Sequence, residues 1–289
     1  MFRAAASCLL VLVLCTPAAG QNILGIDWGS ASVKAATLKA NEFSIVLNEA
    51  SKRKSDAAIG FDGDERLFGN AAGDRRGRKP RSVFQQFHHL LGNSYEAPVV
   101  QHLRNNAAMP FTIEPEASRG GAAVLTETGE RFGPEELLGM SLHFLAQLTA
   151  VNNKADAPSQ CVVAVPASFS EAARKAVITA GEIGGIKVLR VVSDTAALAV
   201  QYAKDRTWPA DKKQVASAAS GHSTLSRWLQ VDNVLLVDIG AAFTRASVVE
   251  YSMQGGVPTA TIKAVESDDL LGGLQVMCFV APVQPVRAA

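Results

Sequence analysis

Cysteine is scarce in this chain: four occur in 289 residues. Cys8 and Cys15 frame an early apolar run, and the remaining two, Cys161 and Cys278, cannot build a disulfide framework. Cys161 opens the apolar run CVVAVP and reads as a buried free thiol. An excess of one charge is also missing. The formal net charge is +1, without the basic surplus that nucleic-acid binding needs. Beyond the first twenty residues no stretch approaches the ~20 apolar residues of a bilayer span. There is no Asn-x-Ser/Thr acceptor, no lumenal retention tetrapeptide at the end, PVQPVRAA, and no Gly-x-Ser-x-Gly elbow. The five histidines lack metal-ligand spacing. Hydrolase and zinc readings fail on these grounds.

What is present is globular: 48% hydrophobic and 19% charged residues. Residues 1–20 stand apart. Arg3, the core CLLVLVLC and the small residues TPAAG before Gln21 form a secretory signal peptide, with cleavage expected near Gly20. The mature protein is therefore expected in a lumen or outside the cell, without a membrane span.

Downstream, strand signals fall at 23–27, 33–38 and 43–47, then at 57–61 and 66–68 around the turn Asp62-Gly63-Asp64. Helical signals follow at 70–77 and at 82–91, where Val83, Phe87, Leu90 and Leu91 share a helical spacing before Gly92. Pro134, Glu135 and Glu136 open a longer helix with an apolar leucine face. Strand 161–166, helix 170–183, strand 186–192 and helix 194–204 alternate, which predicts an α/β sheet with a crossover. Strands 234–238 and 243–251 close the series. The run Arg75, Arg76, Arg78, Lys79 and Arg81 reads as a solvated basic face or a surface for an acidic partner.

The opening pattern recurs. ILGIDWGSASVKAATL and VLLVDIGAAFTRASVV each place an Asp at the end of an apolar strand and a Gly two residues later, about 210 residues apart. One Asp-x-Gly turn is an ordinary hairpin signal. Two with the same flanking strands point to related halves facing a cleft. There, strand-end carboxylates order water around Mg²⁺ and backbone N–H groups approach phosphate oxygens.

With these residues in view, the chain resembles the nucleotide-binding domain of the heat-shock protein 70 superfamily. That implies an α/β, actin/hexokinase-like two-lobed ATPase fold. The turn at Asp27 resembles the first phosphate loop. VVAVPASFSEAARKAVITAGEIGGIKVLRVVSDTAALAVQYA resembles the family's most recognisable block. LLVDIGAAFTRASVV and LLGG, 270–273, resemble the second loop and the signature after it. NEASKRKSDAAIGFDGDERLFGNAA and VFQQFHHLLG are similar to the large lumenal branch, the glucose-regulated or hypoxia up-regulated proteins.

The resemblance implies catalytic roles for Asp27, Asp194 and Asp238. It gives nucleotide contacts to Gly29, Ser30, Ala31, Gly240, Ala241 and Thr244, and Mg²⁺ held through water by Asp27 and Asp238. Asp194 stands where conventional members carry Glu, and Thr244 replaces a lost hydroxyl if the loop shifts by one. The implied cofactors are ATP or ADP with Mg²⁺. Departures matter as well. His88 or His89 aligns with the catalytic Lys of conventional members, and their more ordinary reading is as partly exposed helix polars. Gly-Gly-Gly-Thr becomes Gly240, Ala241, Ala242 and Phe243, whose added Cβ atoms are expected to forbid φ > 0. The loss of a preorganised cation predicts slow or absent hydrolysis.

The expected organisation is a signal peptide, 1–20; a first lobe, 21–204; a flexible inserted loop, 205–232; the start of a second lobe, 233–277; and a tail outside the family pattern, 278–289. The second lobe reads as incomplete, the chain as truncated or mispredicted, and apolar strands as left uncovered. The implied role is an ATP-binding chaperone or co-chaperone of the endoplasmic reticulum lumen, including nucleotide exchange on the lumenal heat-shock 70 chaperone. Unfolded clients would be partners only if a missing C-terminal domain exists. The alternatives are a partner-binding fragment that no longer holds ATP and, less favoured, an actin-fold sugar kinase.

Overall fold

A computed structural model describes residues 23–39, 42–106, 109–116, 120–206, 232–254 and 257–273. The signal peptide, nearly all of the expected inserted loop and the tail lie outside these residues.

The central sheet has the order β12-β11-β1-β2-β3, with β4 (Ser55–Asp56) on β2. Its strands are β1 (Ile23–Trp28), β2 (Ser32–Lys39), β3 (Glu42–Ile45), β11 (Gln160–Val165) and β12 (Lys187–Ser193). β1 pairs with β11 in parallel and β11 with β12 in parallel, while β1, β2 and β3 form antiparallel hairpins. Parallel strands in the middle of such a sheet are covered on both faces, so they read as continuous apolar runs. Leu24, Ile26, Cys161, Val162 and Val163 are accordingly buried, in two clusters on opposite faces.

Helix α4 (Glu171–Ile183) is the crossover between β11 and β12. Ser170 caps it by accepting from the Ala173 amide at 3.2 Å. It packs on α3 (Pro134–Asn153), whose Glu136 carboxylate accepts from the Gly133 amide at 2.6 Å. The two helices meet at glycine: a Cβ on Gly139 would stand 2.7 Å from the Ala180 carbonyl oxygen. Helix α5 (Asp194–Asp205) leaves β12 with Ser193 as its cap, accepting from the Ala196 amide at 3.1 Å.

The expected helix over 82–91 is instead a 3₁₀ turn (Pro80–Ser82), strand β7 (Val83–Gln85) and a second 3₁₀ turn (Phe87–Leu90). Gln86 has φ +56°, which ends any helical run there. The apolar residues are nonetheless buried: Val83 through the pairing of β7 with β5 (Ala58–Asp62), itself hairpinned to β6 (Glu65–Phe68), and Phe87, Leu90 and Leu91 in the main core cluster. Helix α1 (Gly69–Arg75) follows β6; in the basic run after it, Arg75 and Lys79 both pair with Asp62. Helix α2 (Pro98–Asn105) and the sheet β8 (Thr112–Glu116), β9 (Gly121–Leu125) and β10 (Arg131–Phe132) had no counterpart in the sequence pattern.

A second antiparallel sheet holds β13 (Asp232–Ile239), β14 (Thr244–Gln254) and β15 (Val257–Asp268). One face packs on α5: Val249 and Tyr251 are buried with Ala199 and Ala203, and the Tyr251 hydroxyl donates to the Ala199 carbonyl at 2.9 Å. This contact sets the β13–β14 hairpin opposite the β1–β2 hairpin across the end of β12.

Candidate functional site

The two turns have the same local geometry. After β1, the Gly29 amide donates to the Ser32 carbonyl at 3.1 Å; after β13, the Gly240 amide donates to the Phe243 carbonyl at 2.8 Å. A Cβ on Gly29 would sit 2.8 Å from the Ser32 oxygen, and one on Gly240 3.2 Å from the Phe243 oxygen. Close approach requires glycine at 29 and leaves little room for a Cβ at 240, and neither glycine has a left-handed φ. The expectation that alanine would strain the second loop is corrected. Among described non-glycine residues only Ser51, Gln86 and Lys154 have positive φ, so Ala241 and Ala242 occupy ordinary backbone conformations. The turn is braced from behind: the Gly273 amide donates to the Gly240 carbonyl at 2.9 Å, and Gly272 lies so close that a Cβ would stand 2.5 Å from the Ala241 carbonyl carbon.

Both turns line one cavity of about 340 Å³, closed at its base by Ala164, Val165 and Pro166 at the end of β11. Asp27, Gly29, Ser30, Ala31, Asp194, Asp238, Gly240 and Ala241 all reach it. Thr244 does not line it; its hydroxyl donates to the Leu271 carbonyl at 2.6 Å, so it does not replace the lost loop hydroxyl. Among the described residues, the amides of Ser30, Ala31 and Ala241 have no protein acceptor. Such amides at the mouth of a polar cavity fit an anion.

The charges of the site are paired by strand register. Asp27 lies opposite Lys34 on β2, and Asp238 lies opposite Arg245 on β14. Directly opposed side chains on an antiparallel pair are neighbours. Lys34 Nζ donates to Asp27 Oδ2 at 2.8 Å. Arg245 Nη1 pairs with Asp194 and lies 3.5 Å from Asp238 Oδ2. Arg245 was not among the expected site residues. The signal was available: in both DWGSASVK and DIGAAFTR the seventh residue after the Asp is a cation.

Asp194 opens α5, and its Oδ1 accepts from the Thr195 amide at 2.7 Å. Burial pushes its carboxyl up to about 6, against the opposing pull of Arg245 and the Thr195 N–H, with Asp238 and Asp27 adding to the rise. Among the described residues no group of three His, Cys, Asp or Glu side chains could hold a metal.

Beside the first turn lies an aromatic plug. His88 and His89 are 2% and 4% exposed, which corrects the expectation of partly exposed helix polars. His89 stacks on Phe243 at 4.6 Å between centroids, His88 lies 4.4 Å from His89, and the Arg245 guanidinium sits 4.8 Å over the Phe243 ring. His88 Nε2 and the Ser30 hydroxyl are hydrogen-bonded at 3.1 Å. Burial holds His88 well below the usual histidine range and His89 down to about 3, with neighbouring His89 and His102 respectively adding to the depression, then Arg245. Both rings are neutral near pH 7 and carry no fixed charge.

Residues 23–278 match the Hsp70 protein family. The chain is 32% identical over 263 residues to Hypoxia up-regulated protein 1 of Xenopus laevis, covering 88% of this chain and 37% of that protein. Against the protein of the same name from Danio rerio it is 29% identical over 276 residues, covering 93% and 26%. Against the Homo sapiens protein it is 29% identical over 262 residues, covering 88% and 24%. The chain therefore spans well under half the length of these relatives. A match over most of its residues, with an α/β architecture carrying two equivalent glycine turns on one cavity, shows that the chain belongs to the Hsp70 family, on the branch of the hypoxia up-regulated proteins.

Proposed function

We propose that this chain is a chaperone-type nucleotide-binding domain that holds ATP or ADP between its two glycine turns and hydrolyses ATP slowly or not at all. The observation that carries the reading is the pairing of the turns on one cavity, with the Ser30, Ala31 and Ala241 amides free of protein acceptors among the described residues. Weak hydrolysis is supported by the plug. His88 or His89 aligns with the catalytic Lys of conventional members, both rings are buried and neutral, and Phe243, stacked on His89, lines the cavity without offering a charge.

Hsp70 domains use Mg²⁺ with their nucleotide, and the residues here do not fit that ion. Lys34 already pairs with Asp27, and Arg245 with Asp194 and Asp238.

The wider role extends the family's chemistry to this chain. The domain acts in the stress response of the endoplasmic reticulum lumen, reached through the leader at 1–20, and there promotes nucleotide exchange on the lumenal heat-shock 70 chaperone. Its own nucleotide would bridge the two sheets and set how the second hairpin sits against the first. No helix among the described residues is long and apolar enough to cross a membrane.

Calorimetry of the full chain with ADP tests the reading. Micromolar binding is expected in at least one of two buffers, with and without Mg²⁺; no binding in either overturns it in favour of a partner-binding module without nucleotide. ATP turnover is expected about a hundredfold or more below that of a conventional family member assayed beside it. Equal turnover would refute the assignment of weak hydrolysis.

A further inference from the structure

We infer that Lys34 and Arg245 together take the place of a divalent cation, so that the cavity binds a nucleoside di- or triphosphate in its metal-free form. The inference rests on the nucleotide reading above and goes beyond it in naming the charge state of the ligand.

Four observations carry it. The first is the internal repeat: each glycine turn has a strand-end carboxylate and, seven residues on, a cation set against it by antiparallel register. One guanidinium and one ammonium supply two positive charges, the same as one Mg²⁺. The second is position. Arg245 Nη1 lies between the carboxylates of Asp194 and Asp238, where an ion bridging these groups would have to stand. The third is confinement. The Arg245 side chain is 6% exposed, and Phe243, itself stacked on His89, lies under the guanidinium. A metal entering there would have to expel a buried cation from its aromatic seat. The fourth is unused donor capacity. Buried Nε of Arg245 and buried Nε1 of Trp28 have no partner among the described residues, and both side chains line the cavity. A guanidinium is a planar fork that matches phosphate oxygens, and an unpaired buried donor is costly until an acceptor arrives.

A phosphate group drawn into the cavity would meet the amides of Ser30, Ala31 and Ala241 and the guanidinium of Arg245, whose buried Nε lacks an acceptor. The three carboxylates would not repel it unscreened, because each already faces a cation. Arg245 is thus a specificity-determining residue. A purely structural Arg245, tying the second hairpin to α5 through Asp194, would stabilise the fold without changing how binding depends on metal.

The experiment uses the full chain and ADP, titrated by calorimetry in excess Mg²⁺ and again in EDTA. Dissociation constants within about threefold of each other are expected for the wild type. R245A should weaken binding in EDTA by tenfold or more while losing much less in Mg²⁺, and R245K should recover part of the EDTA affinity. Circular dichroism and thermal melting establish that each variant is folded. Wild-type binding seen only with Mg²⁺ overturns the inference and leaves the nucleotide reading intact. Absence of binding in both buffers overturns the nucleotide reading and the inference with it. If R245A and the wild type bind equally in EDTA, the role assigned to Arg245 is wrong.

Discussion

His88 and His89 show how a residue's chemistry is set by distant packing. In the sequence they are two adjacent polar residues in a short amphipathic run, and nothing local says that they are buried. What buries them is Phe243, more than 150 residues downstream, which stacks on His89 and contacts His88. Asp27, Asp194 and Asp238 were legible because each ends an apolar strand, whereas Lys34 and Arg245 read locally as ordinary strand-surface cations until register sets them against the carboxylates. The buried histidines have a measurable consequence. Their folded pKa values lie below the unfolded value near 6.5. The unfolded chain therefore binds more protons below that pH, and the stability from keeping the rings neutral is full above pH 6.5 and lost as pH falls, for His89 toward about 3. His89 contributes a slope of about 1.4 kcal/mol per pH unit in that window, and His88 acts in the same direction. Asp194, raised to about 6, acts in the opposite sense between pH 6 and 4 and offsets about one histidine. Urea midpoints measured from pH 7.5 to 4.5 should hold level to about 6.5 and fall below it, and His89→Phe, which keeps the stack on Phe243, should flatten the fall. A stability independent of pH over that range would contradict the burial of these rings.

At the level of elements, the readable parts were those with strong local punctuation. Strands β1 and β11 announced themselves as unbroken apolar runs, α4 and α5 by their alternation with strands, and the β5–β6 hairpin by Asp62-Gly63-Asp64. The segment 82–91 misled because Val83, Phe87, Leu90 and Leu91 satisfy a helical spacing by coincidence, while Val83 is buried by pairing with β5 and the other three by the main core. The sheet β8–β10 and helix α2 carry short, weakly patterned runs, and their packing against the rest of the core decides their form. The contact between α3 and α4 depends on glycine. Gly139→Ala would drive a Cβ to 2.7 Å from the Ala180 carbonyl oxygen and 3.2 Å from the Gly184 amide nitrogen, both backbone atoms. Overpacking of this kind costs about 1–3 kcal/mol. The matched control is Gly77→Ala, where nothing lies within 4 Å and φ is not in the left-handed region. Denaturation midpoints should drop for the first variant and stay level or rise slightly for the second; equal midpoints would mean that the helices part freely at this crossing.

For the whole molecule, the decisive feature is that two hairpins far apart in sequence come together on one cavity. Repetition in the sequence announced the pair, but only the packing of Val249 and Tyr251 on α5 fixes how they face each other. The same sheet presents its other face outward. Leu235, Val237 and Ile239 on β13 are 63%, 53% and 69% exposed, and Val257 on β15 is 63% exposed. Strand alternation puts the three β13 residues on one side, so they form a continuous apolar stripe. A flat stripe of this kind, on a strand paired along one edge only among the described residues, favours association between chains. The isolated chain should therefore scatter light increasingly between low and tens of micromolar concentration. Leu235→Lys with Val237→Lys should suppress that association, because a lysine on an outward-facing strand position resists edge pairing and costs little folding energy. Light scattering coupled to size exclusion reads the outcome, with nucleotide affinity measured in parallel to show that the hairpin is intact. Unchanged association in the double variant would place the sticky surface elsewhere and leave the β13 face inert.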